Sequence, residues 1–419
     1  MTGAAVSSTL ERCPWPIVEL GECLVSTPSY GINAPAVPYR HDLPTYIRIT
    51  DIDDAGRFVP APKVSVSDPS ASDYYLEYGD ILLARTGASV GKSYLHRPQD
   101  GRLVYAGFLI QVRVDDRKLD PEFLSQYLRS KPYWDWVEGM SLRSGQPGIN
   151  SREYASLPVP LPQLSEQRRI AGALRDVDEL NESLERLIDK HLMVKAAALR
   201  RLFAGQSNLT RPRSEWTRYR LDQLGQWMKG RGIRKDDVAS AGVPCVRYGE
   251  LYTKYRSYTA SLNNYVPQDV ADTALPIQRG DLLFTSSGET ADEIGTCLAY
   301  VGSGPAVAGG DLVVLRPSSG DHNPVFLSHL LNTPAVAAEK ARLGQGDAVV
   351  HINARALGSL EVNLPTREEQ DSVAEVLTDM DSEINALERR LAKTRDVKRG
   401  MMQELLTGRT RLPAEEAAA

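Results

Sequence analysis

The chain has 419 residues, a formal net charge of −5, 42% apolar side chains and 25% charged ones. That length suits about three ordinary domains, the composition is that of a globular protein, and no run approaches the ~18 apolar residues of a membrane span. The acidic balance argues against a chain that coats nucleic acid over its whole surface, but it leaves room for local basic patches. The start, MTGAAVSSTL, lacks the basic stretch and apolar core of a signal peptide. Cys13, Cys23, Cys245 and Cys297 form no C-x-x-C pair and no Cys/His cluster, so free thiols of a cytoplasmic protein are expected, with no metal site.

In chain order, YIRI from Tyr46, DILLA from Asp80 and LIQVRV from Leu109 predict strands bounded by turn residues. Between the last two lies RTGASVGKS, Arg85 to Ser93, which ends like a phosphate-binding loop. That loop needs a glycine five residues before Gly91, where Thr86 stands, and a helix after it. Pro98 and Asp100-Gly101 predict a turn and another strand instead, so a hairpin is expected. PEFLSQYLRS from Pro121 predicts a short helix.

From Gly148 the chain begins to repeat itself. GINSREYASLPVPLPQLSEQRRIAGALRDVD aligns without a gap with HINARALGSLEVNLPTREEQDSVAEVLTDMD, at a spacing of 352 − 149 = 203 residues. Ile149-Asn150 matches Ile352-Asn353, Leu161-Pro162 matches Leu364-Pro365, and Glu166-Gln167 matches Glu369-Gln370. Upstream, GDILLARTG from Gly79 faces GDLLFTSSG from Gly280, DPEFLSQYL faces NPVFLSHLL, and Trp15 and Leu20 face Trp216 and Leu221. One unit of about 200 residues is therefore written twice. The second copy has no lysine where the first has Lys92, which removes the nucleotide reading of that loop.

Each copy ends in a long amphipathic segment. Ile170, Leu174, Val177, Asn181, Leu184 and Ile188 recur at spacings of four and three, as do Val373, Leu377, Met380, Ile384, Leu387 and Leu391. This is an a/d seam. Thr366 and Glu369 form the sequence of a capping box, and Gly205 and Gly408 suit the two C-terminal ends. Helices of some forty residues, about 60 Å long, need partners, and the simplest arrangement pairs them with each other, antiparallel. Asn181 is either a tolerated polar residue in the seam or a setter of register. The expected fold class is α/β (α+β): two mixed, irregular domains separated by two long helices that form an antiparallel coiled coil, with pseudo-two-fold repetition.

The ordered, doubled set of motifs resembles the specificity subunits of type I restriction-modification systems. LPQLSEQRRIAGAL and LPTREEQDSVAEVL resemble the family's entries into its conserved helices, LFAG and LLTGRTRL its exits, and GDILLARTG and GDLLFTSSGET its hairpin. The resemblance implies an N-terminal segment (1–14), target recognition domain 1 (15–162), helical region 1 (163–205), a linker (206–215), target recognition domain 2 (216–365), helical region 2 (366–408) and a C-terminal tail (409–419). It implies that each recognition domain reads half of a split double-stranded DNA target. The helices would space the halves and dock two adenine methyltransferase subunits, with restriction/translocase subunits joining them. S-adenosylmethionine and ATP would bind those partners, with no cofactor and no catalysis in this chain and no membrane partner. A coiled-coil adaptor that binds only proteins is the alternative.

Base readout calls for donors such as Arg, Lys, Asn and Gln on loops that reach the major groove, and phosphate contacts call for Arg, Lys, Ser and backbone amides. In the first domain the candidates are Arg85, Thr86, Ser89 and Lys92, and then Arg143, Ser144 and Gln146. In the second they are Lys229, Arg231, Arg234 and Lys235, the interleaved Arg247, Tyr248, Lys254, Tyr255 and Arg256, and Ser286, Ser287, Arg342 and Gln345.

Overall fold

The computed structural model describes residues 13–141, 148–203, 216–288, 290, 293–346 and 350–413. The chain divides into two compact units, and neither is a continuous segment. The first takes residues up to 186 together with those from 389 onward; the second takes 187–388. The two long helices, α1 (Leu164–Phe203) and α2 (Arg367–Leu405), each contribute one part to each unit.

In the first unit a four-stranded antiparallel sheet runs in the order Ser29–Tyr30, Leu109–Val112, Ile81–Ala84, Ser93–Leu95. A second sheet holds Ala36–Pro38, Val64–Val66, Thr45–Ile47 and Leu103–Tyr105, the last two parallel. Every residue of Ile81–Ala84 is buried, which is why DILLA reads as an unbroken apolar run without alternation. The main core joins Ile81, Phe123, Tyr127 and Trp136 to Ile170 and Leu174 of α1 and to Leu405 of α2.

The second unit has a five-stranded sheet in the order Gly225–Lys229, Leu312–Pro317, Leu282–Thr285, Cys297–Tyr300, Tyr258–Thr259. Its second sheet runs Asn264–Val266, Val243–Val246, Ala306–Ala308, Leu275–Ile277. Phe284, Phe326 and Leu331 pack there with Leu202 of α1 and with Val373 and Leu377 of α2.

The shared motifs have structural work in both units. Asp80 receives two hydrogen bonds from the Arg113 guanidinium at 2.7 and 2.9 Å, and Asp281 receives two from Arg316 at 2.8 and 2.7 Å. Each aspartate also accepts the backbone N–H three residues earlier, at Glu77 and Gln278. A buried carboxylate needs such company, because an unpaired one would be costly to desolvate. Asp120 and Asn323 cap the short helices Pro121–Tyr127 and Pro324–Leu331, each with proline at the first position. Gln167 accepts the Asp120 N–H at 2.7 Å, and Gln370 accepts the Asn323 N–H at 2.9 Å. The glutamine of each helix entry thus ties the long helix to the cap of the short one. The helix Lys131–Ser141, which follows Pro121–Tyr127, goes beyond the predicted elements.

α1 and α2 run antiparallel. In the first unit Asp178 pairs with Lys398 at 2.6 Å and Asn181 accepts a hydrogen bond from Thr394 at 2.5 Å. In the second, Lys195 pairs with Asp381 at 2.5 Å. Asp178 and Asp381 lie 203 residues apart, as do Lys195 and Lys398, so one ion pair is written twice. Of the predicted seam, Val177, Met380 and Leu387 are half-buried and the other nine residues are buried. Asn181 has an interhelical partner, the arrangement expected of a residue that fixes register. At the α2 entry the Thr366 hydroxyl accepts the Glu369 N–H at 3.4 Å, and after its end Gly408 adopts φ +71°. Gly205, the predicted linker 206–215 and most of both termini lie outside the described residues.

Candidate nucleic-acid interface

In the first unit the loop that resembled a phosphate loop closes the hairpin between Ile81–Ala84 and Ser93–Leu95. A strand follows Lys92, not a helix. Gly91 has φ +87°, and a Cβ there would lie 2.7 Å from Val137, so the glycine serves close packing. Lys92 pairs with Asp54 at 2.7 Å, and Ser89 ends the turn Gly87–Ser89, half-buried. Beyond strand Ile81–Ala84, Thr86 bridges to Gly148, and the Ile149 N–H donates to the Arg85 carbonyl at 2.9 Å.

Arg85 lies with its guanidinium carbon 4.6 Å from the centre of the Tyr30 ring, a cation–π contact. The Tyr30 hydroxyl accepts the Ser151 N–H at 3.2 Å, and its pKa lies below that of free tyrosine, chiefly through the Ser151 side chain and with help from that N–H. Arg85, Thr86, Met140, Gly148, Ile149, Asn150 and Glu153 line a recess of about 250 Å³. Asn150 caps the helix Ser151–Ala155 by accepting the N–H groups of Arg152 and Glu153. Arg143, Ser144 and Gln146 lie outside the described residues.

The second unit repeats this backbone bracket with other side chains. Ser287–Gly288 pairs with Val350–His351, and the Ser287 hydroxyl lies 2.9 Å from His351 Nδ1. Gln345 exchanges two backbone hydrogen bonds with His351, at 2.9 and 2.8 Å. Ser286 donates its N–H to the Asp311 carbonyl at 3.1 Å and accepts that of Ile352 at 2.9 Å. Asn353 caps the next helix. Ser286, Ser287 and Gln345 therefore meet around His351, a residue that stands where the first copy has Gly148.

A second group gathers at Ala308–Asp311. Lys229 ends its strand; Gly230 donates its N–H to the Leu312 carbonyl, and Arg231 to that of Ala308. A Cβ on Gly309 would sit 3.4 Å from Arg247 Cγ, so the arginine stem lies against that glycine. Arg247 Nε is buried and makes no hydrogen bond. Its counterpart Arg48 donates to Asp51 at 2.9 and 2.7 Å. In the second unit Glu250, the residue in the place of Asp51, takes Lys254 at 3.0 Å instead. Arg231, Arg234 and Lys235 are exposed, although the Arg234 backbone N–H binds the Asp237 carboxylate at 2.6 Å. Tyr248 and Tyr252 are exposed with ring centres 6.4 Å apart.

Three candidates stand apart from these two groups. Tyr255 accepts the Asn263 N–H at 3.1 Å, and burial raises its pKa. Arg256 donates to Glu388 of α2 at 2.6 Å, with Asp381 at 3.7 Å. Arg342 lines an open groove with Arg218, Glu339 and Glu361. Sequence reasoning missed Tyr30, His351 and the loop residues Phe108 and Asp311. The one positional signal was at His351, which immediately precedes Ile352-Asn353, the match to Ile149-Asn150.

Among the described residues no group of three or more His, Cys, Asp or Glu is placed to hold a metal ion, and no helix is long and apolar enough to cross a membrane. The four cysteines are free, and burial pushes the Cys297 thiol up to about 12.

Comparison with known proteins agrees with this architecture. The chain is 22% identical over 355 residues to the type I restriction enzyme MjaVIII specificity subunit of Methanocaldococcus jannaschii, covering 80% of this chain and 79% of that one. It is 23% identical to the putative MjaX specificity subunit of the same organism, covering 83% and 82%. A crystal structure of the type I restriction-modification S subunit from M. genitalium shares the fold with a TM-score of 0.64 at 15% identity, covering 97% of this chain and 99% of that one. A structure from work on assembly and conformational transition of the type I R-M system aligns with a TM-score of 0.54 at 18% identity, over 95% and 100%. The pattern of the type I restriction modification DNA specificity domain matches residues 62–190 and 213–394. Doubled mixed sheets, doubled helix entries and these two matched segments together establish that the chain belongs to the type I restriction-modification specificity (S) subunit family.

Proposed function

We propose that the chain is the sequence-reading subunit of a type I restriction-modification complex, in which each unit reads one half of a split double-stranded DNA target. One observation carries this reading. The same backbone bracket, Thr86 against Gly148 and Ser287 against His351, displays unlike side chains in the two units. A common scaffold with differing loops suits two readers that bind the same kind of molecule and distinguish different sequences. Arg85 and Tyr30 beside the first bracket, and Ser286, Ser287, Gln345 and His351 at the second, suit phosphates and base edges. The paired helices set the number of unread base pairs between the halves and dock two adenine methyltransferase subunits, to which restriction/translocase subunits are added. S-adenosylmethionine and ATP belong to those partners, and this chain orients DNA without performing the chemistry.

The test is an exchange of residues 216–350 for the matching segment of another family member, followed by methylation mapping. One half of the target changes and the other stays. A change in both halves together would overturn independent reading.

A further inference from the structure

Within each unit one residue occupies the same place beside the bracket and differs in chemistry. In the first unit it is Phe108, which immediately precedes the strand Leu109–Val112. That strand lies between Ser29–Tyr30 and Ile81–Ala84. The Phe108 carbonyl accepts the Arg85 N–H at 3.1 Å. Its neighbours are tied down as well: Gly107 donates to the Ile32 carbonyl at 2.9 Å, Leu109 donates to that of Ala106 at 2.8 Å, and Gly31 donates to that of Leu109 at 3.1 Å. A Cβ on Gly31 would come 2.3 Å from the Ala106 carbonyl oxygen, so only glycine lets the two segments approach this closely. Phe108 is nevertheless 58% exposed, on a loop too constrained to fold it away. Tyr30, 39% exposed and stacked under Arg85, is on the neighbouring strand.

In the second unit the place belongs to Asp311, 203 residues later. Its carbonyl accepts the Ser286 N–H at 3.1 Å, just as that of Phe108 accepts Arg85. The following residue, Leu312, accepts the Gly230 N–H at 2.8 Å, just as Leu109 accepts Gly31. The Asp311 side chain is exposed and has no ion pair or hydrogen bond among the described residues. An unpaired carboxylate on a segment that the backbone of Gly230 and Arg231 and the stem of Arg247 adjoin is unfavourable toward phosphates, which it repels. It is suited to accept a hydrogen bond from a base amino group.

We propose that this place is a base-reading position in both units: Phe108 contacts the 5-methyl group of a thymine in one half-site, and Asp311 accepts from the N4 amino group of a cytosine in the other. The inference rests on the reading of split DNA above and adds to it the chemical identity of one base in each half. In the major groove thymine alone presents a methyl group, and an apolar side chain recognises it by excluding water. Cytosine presents an amino donor, which a carboxylate matches and the carbonyl of thymine does not.

The experiment uses the full chain with its methyltransferase subunits and the duplex identified by methylation mapping. Each thymine of the first half-site is replaced in turn by uracil, which removes only the 5-methyl group. One replacement weakens binding of the native complex by about fourfold, the worth of one buried methyl group, and leaves binding of the Phe108→Ala complex unchanged. Asp311→Ala relaxes discrimination at one cytosine of the second half-site and leaves the first half-site as it was. Both residues are exposed, so neither substitution disturbs the cores. A uracil effect of equal size in native and Phe108→Ala complexes overturns the inference, as does a first half-site without thymine or full cytosine discrimination after Asp311→Ala. Those outcomes leave sequence-specific binding intact, whereas a complex that retains no particular duplex refutes the proposed function itself.

Discussion

His329 of the second unit is a near-miss that the first unit avoids. It lies on Pro324–Leu331, and its Nε2 is 3.6 Å from Asp381 Oδ2, too far for a hydrogen bond. Both atoms are buried without partners. At the corresponding place in the first unit Gln126 donates to Asp178 at 3.0 Å. Burial, reinforced by the charge of Lys195 and opposed by Asp381, lowers the His329 pKa to about 4. The unfolded chain binds this proton near pH 6.5. The native unit therefore has its full stability above that pH and loses it as the pH falls from 6.5 to 4, where the loss levels off. Linkage between the two pKa values makes the loss about 2 kcal/mol between pH 7 and pH 5. His329→Gln removes the titrating group and supplies the missing donor. It stabilises the second unit at pH 7 by about 1 kcal/mol, the net worth of one hydrogen bond, and reduces its dependence on acid by the calculated amount. Urea unfolding of both proteins at pH 7 and pH 5, followed by tryptophan fluorescence and by hydrogen exchange in Pro324–Leu331, measures both effects. Equal stability loss between pH 7 and pH 5 in the two proteins would refute the assignment to His329.

Arg48 and Arg247 hold the same place in the two copies but should respond in opposite ways. Arg48→Ala leaves the buried Asp51 without its guanidinium and costs about 1–3 kcal/mol of stability, measured by denaturation. Arg247→Ala leaves stability nearly unchanged and, if the arginine reads a base, weakens binding of the mapped target by about 1–3 kcal/mol with relaxed preference at one position. Inserting one heptad into each helix, at Arg186–Leu187 and Glu388–Arg389, keeps the a/d phase and adds about 10 Å to each. Methylation of duplexes that differ only in spacer length should then favour a spacer about three base pairs longer. An active double-insertion protein with its original spacer preference would show that the helices do not set the spacing.

The doubling, the two long helices and their seams were legible because they rest on local periodicity. An a/d repeat of Leu, Ile and Val can bury itself only along one stripe, and the 203-residue offset places the same stripe in both copies. Antiparallel pairing also followed from the sequence, since each helix needed a partner. The closeness of Asp178 to Lys398 and of Lys195 to Asp381 was not visible, because each lysine stands where the continued seam repeat expects an apolar residue and each aspartate stands one residue past the seam positions Val177 and Met380. Nor could the sequence show that each unit is assembled from distant segments: Leu405 completes the core that Ile81 begins only because α2 runs back along α1. Among the site candidates, side-chain chemistry identified the types that can bind DNA, and the tertiary contacts decided which remain available. Arg256 is engaged by Glu388, whereas Arg247, in an equally basic stretch, has no carboxylate on its guanidinium among the described residues because Lys254 takes Glu250. A guanidinium is available to a ligand only where no carboxylate of the same fold lies within reach, and that distance is set by packing between segments far apart in the chain.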